Sequence, residues 1–468
     1  MGSVIICGGG VIGLSAALML GRDGHQVTVL EADPDGAPAT AGQAWAAWPR
    51  RGVAQFRQPH NLFPRFRQVC DEELPDLPGR LLAAGCPVVD YLGAPGRGQP
   101  PTLPDPGPCP GDEMFRSVAG RRPVVESVLA AAAEDQPGVT IRRGVRATEL
   151  TRGRSAVPGV PHVTGVRTSD DREQEADLVI DAMGRRSPGV ALLGALGARP
   201  PVVESEDSGF TYYTRFFTGP SRPHLIGPAL MPLGTISVLT IEGDNDTWSV
   251  TVCSASADTR VKALRDPEVF TRLIRACPLQ ARWLDGQPIT GILPMAGILD
   301  RYRRFTVGGV PVATGFAAVG DAWACTNPSA GRGISVGLVH AQLLRRTVRD
   351  HLGDPAGFAR AWDEGTELTV APFFRNQIRA DRARLSEMTA LREGGQPPPP
   401  DPASRRLLAA AMQDAGVFRA FLETVLCLAL PEEVLSRPAV AAAVDRLGDE
   451  EPRPFPGPDR PRLLELVS

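Results

Sequence analysis

The sequence predicts a doubly wound α/β fold with an antiparallel sheet inserted into it and a helical C-terminal region. Three observations carry this. The chain opens on a strand, glycine turn, helix and second strand within its first 31 residues. A β-rich texture replaces the α/β alternation from Thr211 to Val252. A buried strand then reappears at Ala317–Asp321 and feeds a glycine-spaced loop and a helix, which returns the chain to the first sheet.

Val4-Ile5-Ile6-Cys7 is a short apolar, mostly β-branched run, as expected of a buried parallel strand. Leu14 to Leu20 is apolar and small, reads as a helix, and stops at Gly24; Gln26 to Leu30 is the second strand, closing on Glu31. Pro64 to Leu74 reads as a helix opened by a first-turn proline, with a shorter helical piece through Leu81 and Leu82 before Gly85. Residues 92–112 are crowded with Pro and Gly and predict a loop. A helix follows within Ser117–Ala133, Pro123 in its first turn, then strands at Val139–Arg142, Val145–Leu150 and Asp177–Asp181. Thr211–Phe217, Ile236–Ile241 and Trp248–Val252 are successive strands, the last two joined by a turn at Glu242–Asp246. Pro267–Leu284 reads as helical with a kink at Pro278, Ile334–Val348 as a helix, and the chain beyond Pro355 as helices broken at 396–402 and 451–461.

Length and composition bound the function. At 468 residues, 43% hydrophobic and 22% charged, the chain is neither disordered nor membrane-embedded, and several packed units are expected. A net charge of −3 gives no basic field for nucleic acid. The eight cysteines form no CxxC pair and no zinc spacing, so neither disulfides nor a metal site is expected. With no basic segment before the first apolar run and no stretch of membrane-spanning length, the expected location is the cytoplasm. Lys262 is the one lysine, so a lysine-dependent mechanism has one candidate.

Gly8-Gly9-Gly10-Val11-Ile12-Gly13 sits between the first strand and the first helix. Gly8 permits the tight turn, Gly10 lets backbone approach a pyrophosphate, and Gly13 lets the helix pack on the sheet. The helix start presents free N–H groups to phosphates, and Glu31 is spaced to accept a ribose hydroxyl. This context binds a dinucleotide. The second site, Gly315–Ala322 leading into Asn327-Pro328-Ser329-Ala330-Gly331-Arg332-Gly333-Ile334-Ser335, points to FAD rather than NAD. Asp321 ends a strand where it can hold a polyol hydroxyl, and the following loop and helix start offer further N–H groups. A cofactor long enough to reach both sites is required.

Over most of residues 1–350 the sequence resembles the group A flavoprotein monooxygenases, including the aromatic hydroxylases and squalene-epoxidase-like enzymes. The resemblance rests on Gly8, Gly10, Gly13 and Glu31; on Asp181-Ala182-Met183-Gly184-Arg185-Arg186-Ser187, a variant of the family's middle motif; and on Gly320-Asp321, Asn327-Pro328 and Gly331-Arg332-Gly333. Arg122 matches an arginine that lies against FAD, and Gly52-Val53-Ala54-Gln55 with Arg57 and His60 is similar to a segment of the epoxidase-like members. The resemblance implies a p-hydroxybenzoate hydroxylase-like fold: a Rossmann-like FAD-binding domain at 1–200 and 295–350 (loop 92–112 included), a substrate domain at 201–294, and a helical region at 351–468. It implies non-covalent FAD reduced by transient NADPH or NADH, then oxygen transfer from a C4a-hydroperoxyflavin to an aromatic or lipophilic substrate, by hydroxylation or epoxidation.

The cofactor-binding residues expected on this basis are Gly8, Gly10, Val11, Ile12, Gly13, Glu31, Ala32, Gln55, Arg122, Val145, Asp181, Gly184, Gly320, Asp321, Pro328, Gly331, Gly333 and Ile334. Candidate catalytic residues are His60, Arg215 and Tyr213; candidate substrate contacts are Tyr212 and Phe217, on the strand expected to roof the substrate. Being adjacent, Tyr212 and Tyr213 face opposite sides of their strand, so one of them lines a pocket. Bland roles compete: a structural His60, a solvated Arg215, and packing for Trp45 and Trp48. Alternatives on the same scaffold are a prenyl-reductase-like flavin reductase, a flavin-dependent halogenase, and a non-catalytic flavoprotein that only binds a partner. The halogenase needs a lysine near its substrate and a WxWxIP stretch, which Trp45-Ala46-Ala47-Trp48-Pro49 does not supply. The expected assembly is a monomer or homodimer.

Overall fold

The computed structural model describes residues 1–93, 107–207, 209–225, 228–450 and 454–468. Most of the 92–112 loop therefore lies outside the described residues. Five parallel strands form the first sheet in the order Phe316–Ala318, Leu178–Asp181, Ser3–Cys7, Gln26–Glu31, Val139–Arg143. The inner strands are mostly apolar and buried, packed between helices and the hairpin of Ala147–Val157 with Val160–Thr168, which adds Leu150, Val163 and Val166 to the same core. Val11–Arg22, Arg122–Asp135 and Gly333–His351 are among those helices, and together they bury the largest core, from Val4 and Ile6 to Leu338 and Leu344.

The second sheet has six strands. Leu230–Leu233, Ile236–Glu242, Thr247–Ala255 and Phe210–Thr218 are neighbours in that order, and Phe210–Thr218 also pairs with Gln287–Pro288 and Leu293–Ala296. All pairs are antiparallel. One face, carrying Tyr213, Phe217, Val238, Val250 and Val252, packs on the helix Pro267–Arg275, a 3-10 turn at Thr259–Arg265 and the last helix Arg460–Val467. The other face carries Phe210, Tyr212, Thr214 and Phe216 and turns toward the first sheet's loops. Thr214 Oγ1 donates to Gln58 Oε1 at 3.0 Å, and Phe216 meets Trp45 with ring centroids 4.9 Å apart.

The two units are tied by a buried ion pair. Arg121 reaches Asp244, in the turn before Thr247, through three N–H groups: its backbone N at 2.8 Å, Nε at 3.0 Å and Nη2 at 2.6 Å. The sequence expectation differs at several elements, among them the helix Ala41–Ala47 and the paired strands Val202–Asp207 and Leu299–Arg304, which it did not place. Pro278 does not kink a helix: the helix ends at Arg275 and a short turn resumes at Ala281, because a proline without an N–H cannot carry the ladder across the gap. The strand expected at Val145–Leu150 is one arm of a long hairpin, Ala147–Val157 with Val160–Thr168, whose second arm the sequence reading missed. No helix among the described residues is long and apolar enough to cross a membrane.

Candidate functional site

One cavity joins the two glycine-bearing segments that the sequence separates by some three hundred residues. Gly8 to Ile12, Glu31, Ala32, Gln55, His60, Arg122, Gly184, Gly320, Asp321, Pro328, Gly331, Gly333 and Ile334 all border it. The local reasons are backbone ones. Gly8 has φ +113°, and a Cβ there would stand 2.4 Å from the Ala182 carbonyl oxygen. Gly13 lets the first helix lie on the turn, since its Cβ would fall 2.0 Å from Gly8 O. Gly10 is different: an added Cβ meets no protein atom within 4 Å, and the same holds at Gly184 and Gly333. These are open cradles, shaped for something that is not protein.

At one end Glu31 is held firmly. Its Oε2 accepts from Gly9 N at 2.9 Å and its Oε1 from Asp33 N at 2.8 Å. Arg50 lies 3.0 Å from the same carboxylate, donates from Nη2 to Gly9 O at 3.0 Å and from Nε to Glu126 Oε2 at 3.2 Å, and sits over Trp48. Burial opposes its charge, but Glu126, Glu31 and Asp33 together raise its pKa. Its Nη1 is buried and makes no hydrogen bond. Sequence reasoning missed Arg50, because nothing local distinguishes it from its neighbour Arg51.

A buried polar string continues from there. Glu126 Oε1 accepts from Arg122 Nε at 2.7 Å, Arg122 Nη1 meets His60 Nε2 at 3.2 Å, and His60 Nδ1 meets Gln58 O at 2.8 Å. A carbonyl only accepts, so Nδ1 carries the proton and Nε2 takes the Arg122 N–H. Burial, reinforced by the Arg122 charge, pushes the His60 pKa down to about 3. His60 is therefore a neutral imidazole with both nitrogens engaged.

At the other end Asp321 borders the cavity, and its carboxylate makes no hydrogen bond or ion pair among the described residues. Burial raises its pKa against the pull of Arg122, Arg185 and Arg301. The turn before it is set by His340, whose Nδ1 accepts from Gly320 N at 3.3 Å while the ring stacks on Trp362. The loop beyond is fastened at both of its polar corners. Asn327 N donates to Asp300 Oδ1 at 2.5 Å and the Tyr212 hydroxyl donates to the Asn327 side chain. Ser329 Oγ donates to Asp381 Oδ1 at 2.6 Å.

Several expected site residues are not at the cavity. Tyr213 and Phe217 are packed in the core on the far face of the second sheet. Arg215 shares that face and lines a separate surface groove with Thr271, Arg272, Arg275 and Arg462. Alternation along the strand explains this: odd-numbered positions from 211 to 217 face the covering helices. Tyr212 is on the near face, but it is 4% exposed and spent on Asn327, so neither tyrosine lines the cavity. Asp181 lies one layer behind the lining. It is 1% exposed and accepts from Ser187 Oγ and from Met183 N at 3.1 Å. Gly13 is a packing residue, and Val145 contributes a backbone bond to Glu31 O while its neighbours Arg146 and Ala147 border the cavity. Residues the reading missed include Phe373, Phe374 and Gln377, from the helix Ala371–Arg392, which carries no motif.

The donor set fits an FAD: N–H groups at two helix starts, a carboxylate at each end, and glycines whose missing side chains leave the space open. Residues 3–86 match the family model of the FAD dependent oxidoreductases. No curated protein matches the chain in sequence. Solved structures do match in fold. PqsL of Pseudomonas aeruginosa, solved with 2-aminobenzoylacetate, is 17% identical at a TM-score of 0.57, covering 90% of this chain and 99% of that one. The OxyS anhydrotetracycline hydroxylase of Streptomyces rimosus is 16% identical at 0.55, covering 92% and 76%. The myxobacterial chondrochloren halogenase CndH, described as FAD-dependent, is 17% identical at 0.58, covering 100% and 95%. The fold is thus that of the flavin-dependent monooxygenases and halogenases, with an FAD-type dinucleotide segment at its start.

Proposed function

We propose that this chain is an FAD-dependent monooxygenase that uses NADPH or NADH and dioxygen to hydroxylate or epoxidise an aromatic or lipophilic small molecule. The observation that carries the reading is the single cavity shared by the Gly8–Gly13 turn and the Gly320–Ile334 segment. In this reading residues 1–200 and 295–350 form the cofactor unit and 201–294 the inserted unit.

Bound FAD supplies hydride acceptance from the nicotinamide and activation of oxygen. The chain does the rest. Gly10 and the N–H groups at the start of the first helix receive the pyrophosphate. Glu31 keeps free lone pairs for ribose hydroxyls beside the two bonds it already accepts. Asp321 holds a ribityl hydroxyl, and the Pro328–Ile334 backbone cradles the ring system. The apolar lining around Ile298, Trp323 and Phe374 excludes water from the reacting atoms. His60 contributes orientation of Arg122, because its one N–H is given to Gln58 O and its Nε2 lone pair to Arg122.

The halogenase reading draws support from the CndH fold. Against it, Lys262 is exposed in the 3-10 turn on the far face of the second sheet. A lysine-dependent halogenation has no other lysine in the sequence to use. The test is rapid mixing of the anaerobically reduced holoprotein with oxygen while flavin absorbance is followed. A transient species distinct from reduced and oxidised flavin supports monooxygenation. Direct return to oxidised flavin, with candidate substrates also present, moves the reading to a flavin reductase.

A further inference from the structure

The helix Ala371–Arg392 follows the helix Pro355–Thr369 almost without a break, with Pro372 in its first turn. Phe374, Gln377, Asp381, Leu385 and Met388 recur at three- and four-residue spacing, which places them on one stripe. The stripe's start, Phe374 and Gln377 with neighbouring Phe373, borders the cavity. Its middle, Asp381, holds Ser329 of the Asn327–Gly331 loop. Its end, Leu385 and Met388, packs on Phe210 and Tyr212 of the inserted sheet. No residue of the Phe210–Ala255 strands borders the cavity. The wall facing the loop therefore comes from the C-terminal region.

Gln377 is the polar element of that wall, and its orientation is fixed. It is 3% exposed, and Nε2 donates to Asp381 Oδ2 at 2.9 Å and to Ser329 Oγ at 3.1 Å. Ser329 spends its own hydrogen on the other oxygen of Asp381. Flipping the amide would set Oε1 against a carboxylate and abandon both donations. Oε1 is thereby left as an acceptor, and it is buried without any partner. Gln377 borders the cavity itself, and Ile298, Trp323, Val336, Val370, Phe373 and Phe374 are among the apolar and aromatic residues of that lining. A buried acceptor without a partner carries a desolvation cost that a ligand donor would remove.

We infer that Gln377 is the specificity-determining residue of this cavity: its amide oxygen accepts a hydrogen bond from an N–H or O–H on an otherwise apolar, ring-containing substrate seated against Phe373 and Phe374. This rests on the monooxygenase reading for the identity of the site, and it names the substrate class within it. Phenols, anilines and indole-like rings have the required donor on an apolar body. Anisoles, N,N-dialkylanilines and N-alkylindoles lack it.

Indole and 1-methylindole are the probes, titrated into the FAD-loaded protein and followed by perturbation of the flavin absorbance. FAD affinity is measured separately by fluorescence titration. Indole is expected to bind roughly tenfold tighter than 1-methylindole, the size of effect that one buried acceptor confers. In Gln377→Met that preference should collapse to near unity with FAD affinity unchanged. A preference that survives in Gln377→Met overturns the inference, as does its absence in the wild-type chain. So does weakened FAD binding with the probe preference intact, which would assign the acceptor to the cofactor. Should Gln377→Met fail to fold, Phe374→Leu, which leaves Asp381 and Ser329 bonded, is expected to weaken both probes severalfold at a constant ratio; unchanged binding of both overturns the proposed wall. Failure of the wild-type chain to take up FAD would sink the monooxygenase reading by itself, whatever the indole pair does.

Discussion

Replacing Gly10 by valine separates the cofactor's demands on the glycine turn from those of folding. Gly10 has φ −82° and ψ −178°, extended backbone open to any residue, and no protein atom lies within 4 Å of where its Cβ would be. The substitution therefore costs the fold little beyond the loss of a favourable N-cap, about 1 kcal/mol. The added methyl groups project into the cavity at the start of the first helix, where a pyrophosphate would have to approach the N–H groups. Excluding it from contact should weaken FAD binding about 100-fold, equivalent to about 2.7 kcal/mol. Gly13→Ala is the opposite case. Its Cβ would lie 2.0 Å from Gly8 O, a backbone atom that cannot yield, so several kcal/mol of destabilisation are expected, above the usual ~1–3 of an overpacked core. Fluorescence titration with FAD and thermal unfolding of the apoprotein read the two effects separately. If Gly10→Val binds FAD with wild-type affinity, the open cradle is not where the pyrophosphate lies, and the cofactor assignment of this turn is wrong.

Asp244→Ala should destabilise the protein by about 3–5 kcal/mol in urea, because it leaves Arg121, 7% exposed, without the carboxylate that takes three of its N–H groups; a loss below about 1 kcal/mol would mean that water reaches the guanidinium. The His60 ring resonances should stay still between pH 5 and 8, since burial and Arg122 hold its pKa down to about 3, whereas a midpoint near the ordinary imidazole value would free it for proton transfer. Asp381 gives stability a slope of the other kind. Burial raises its pKa to about 6, so the folded state binds that proton more tightly than the unfolded chain does. The resulting stabilisation is fully present below about pH 4 and lost as pH rises through 6, at about 1.4 kcal/mol per pH unit inside that window. Asp381→Asn should flatten this part of the profile, and a wild-type curve that keeps rising from pH 4 to 7 at the same slope in both proteins would contradict the assignment.

The two glycine segments that meet at the cavity were legible because their signals are local. A β-branched strand, a glycine turn with fixed spacing and a helix lie within twenty-odd residues, and each glycine answers to backbone geometry that chemistry alone prescribes. Sidedness was not legible. Side chains from Thr211 to Phe217 point alternately to two faces, but polar and aromatic residues fall on both, so the pattern does not say which face meets the cavity unit. The choice is made by Phe270, Leu273, Leu463 and Leu466, which cover the Tyr213 and Phe217 face from segments up to some 250 residues away. Arg215 goes with that face for the same reason. The wall supplied by Phe373, Phe374 and Gln377 was illegible too: on a helix without a motif, a glutamine among apolar residues has no local mark until Asp381 and Ser329 are seen to fix it.

The buried charges at the cofactor end show why such a site is costly to build and still retained. Arg50, Glu126 and Glu31 are almost wholly removed from water, with side-chain exposures of 2%, 0% and 8%. Apolar residues of similar volume would often leave a fold as stable or more so. What the charges provide is direction. Arg50 binds Gly9 O and Glu31 at once, so the turn and the Glu31 carboxylate are set by one side chain. Through Glu126 and Arg122 that setting continues to His60, and through Gln58 it reaches Thr214 on the inserted sheet. Arg50→Met, which keeps most of the volume and removes the fork, would leave Glu126 with Arg122 alone and Gly9 O without its donor. Its main consequence should accordingly be on how tightly and in what orientation FAD is held rather than on whether the parallel sheet forms, because the core beneath is apolar and independent of the string.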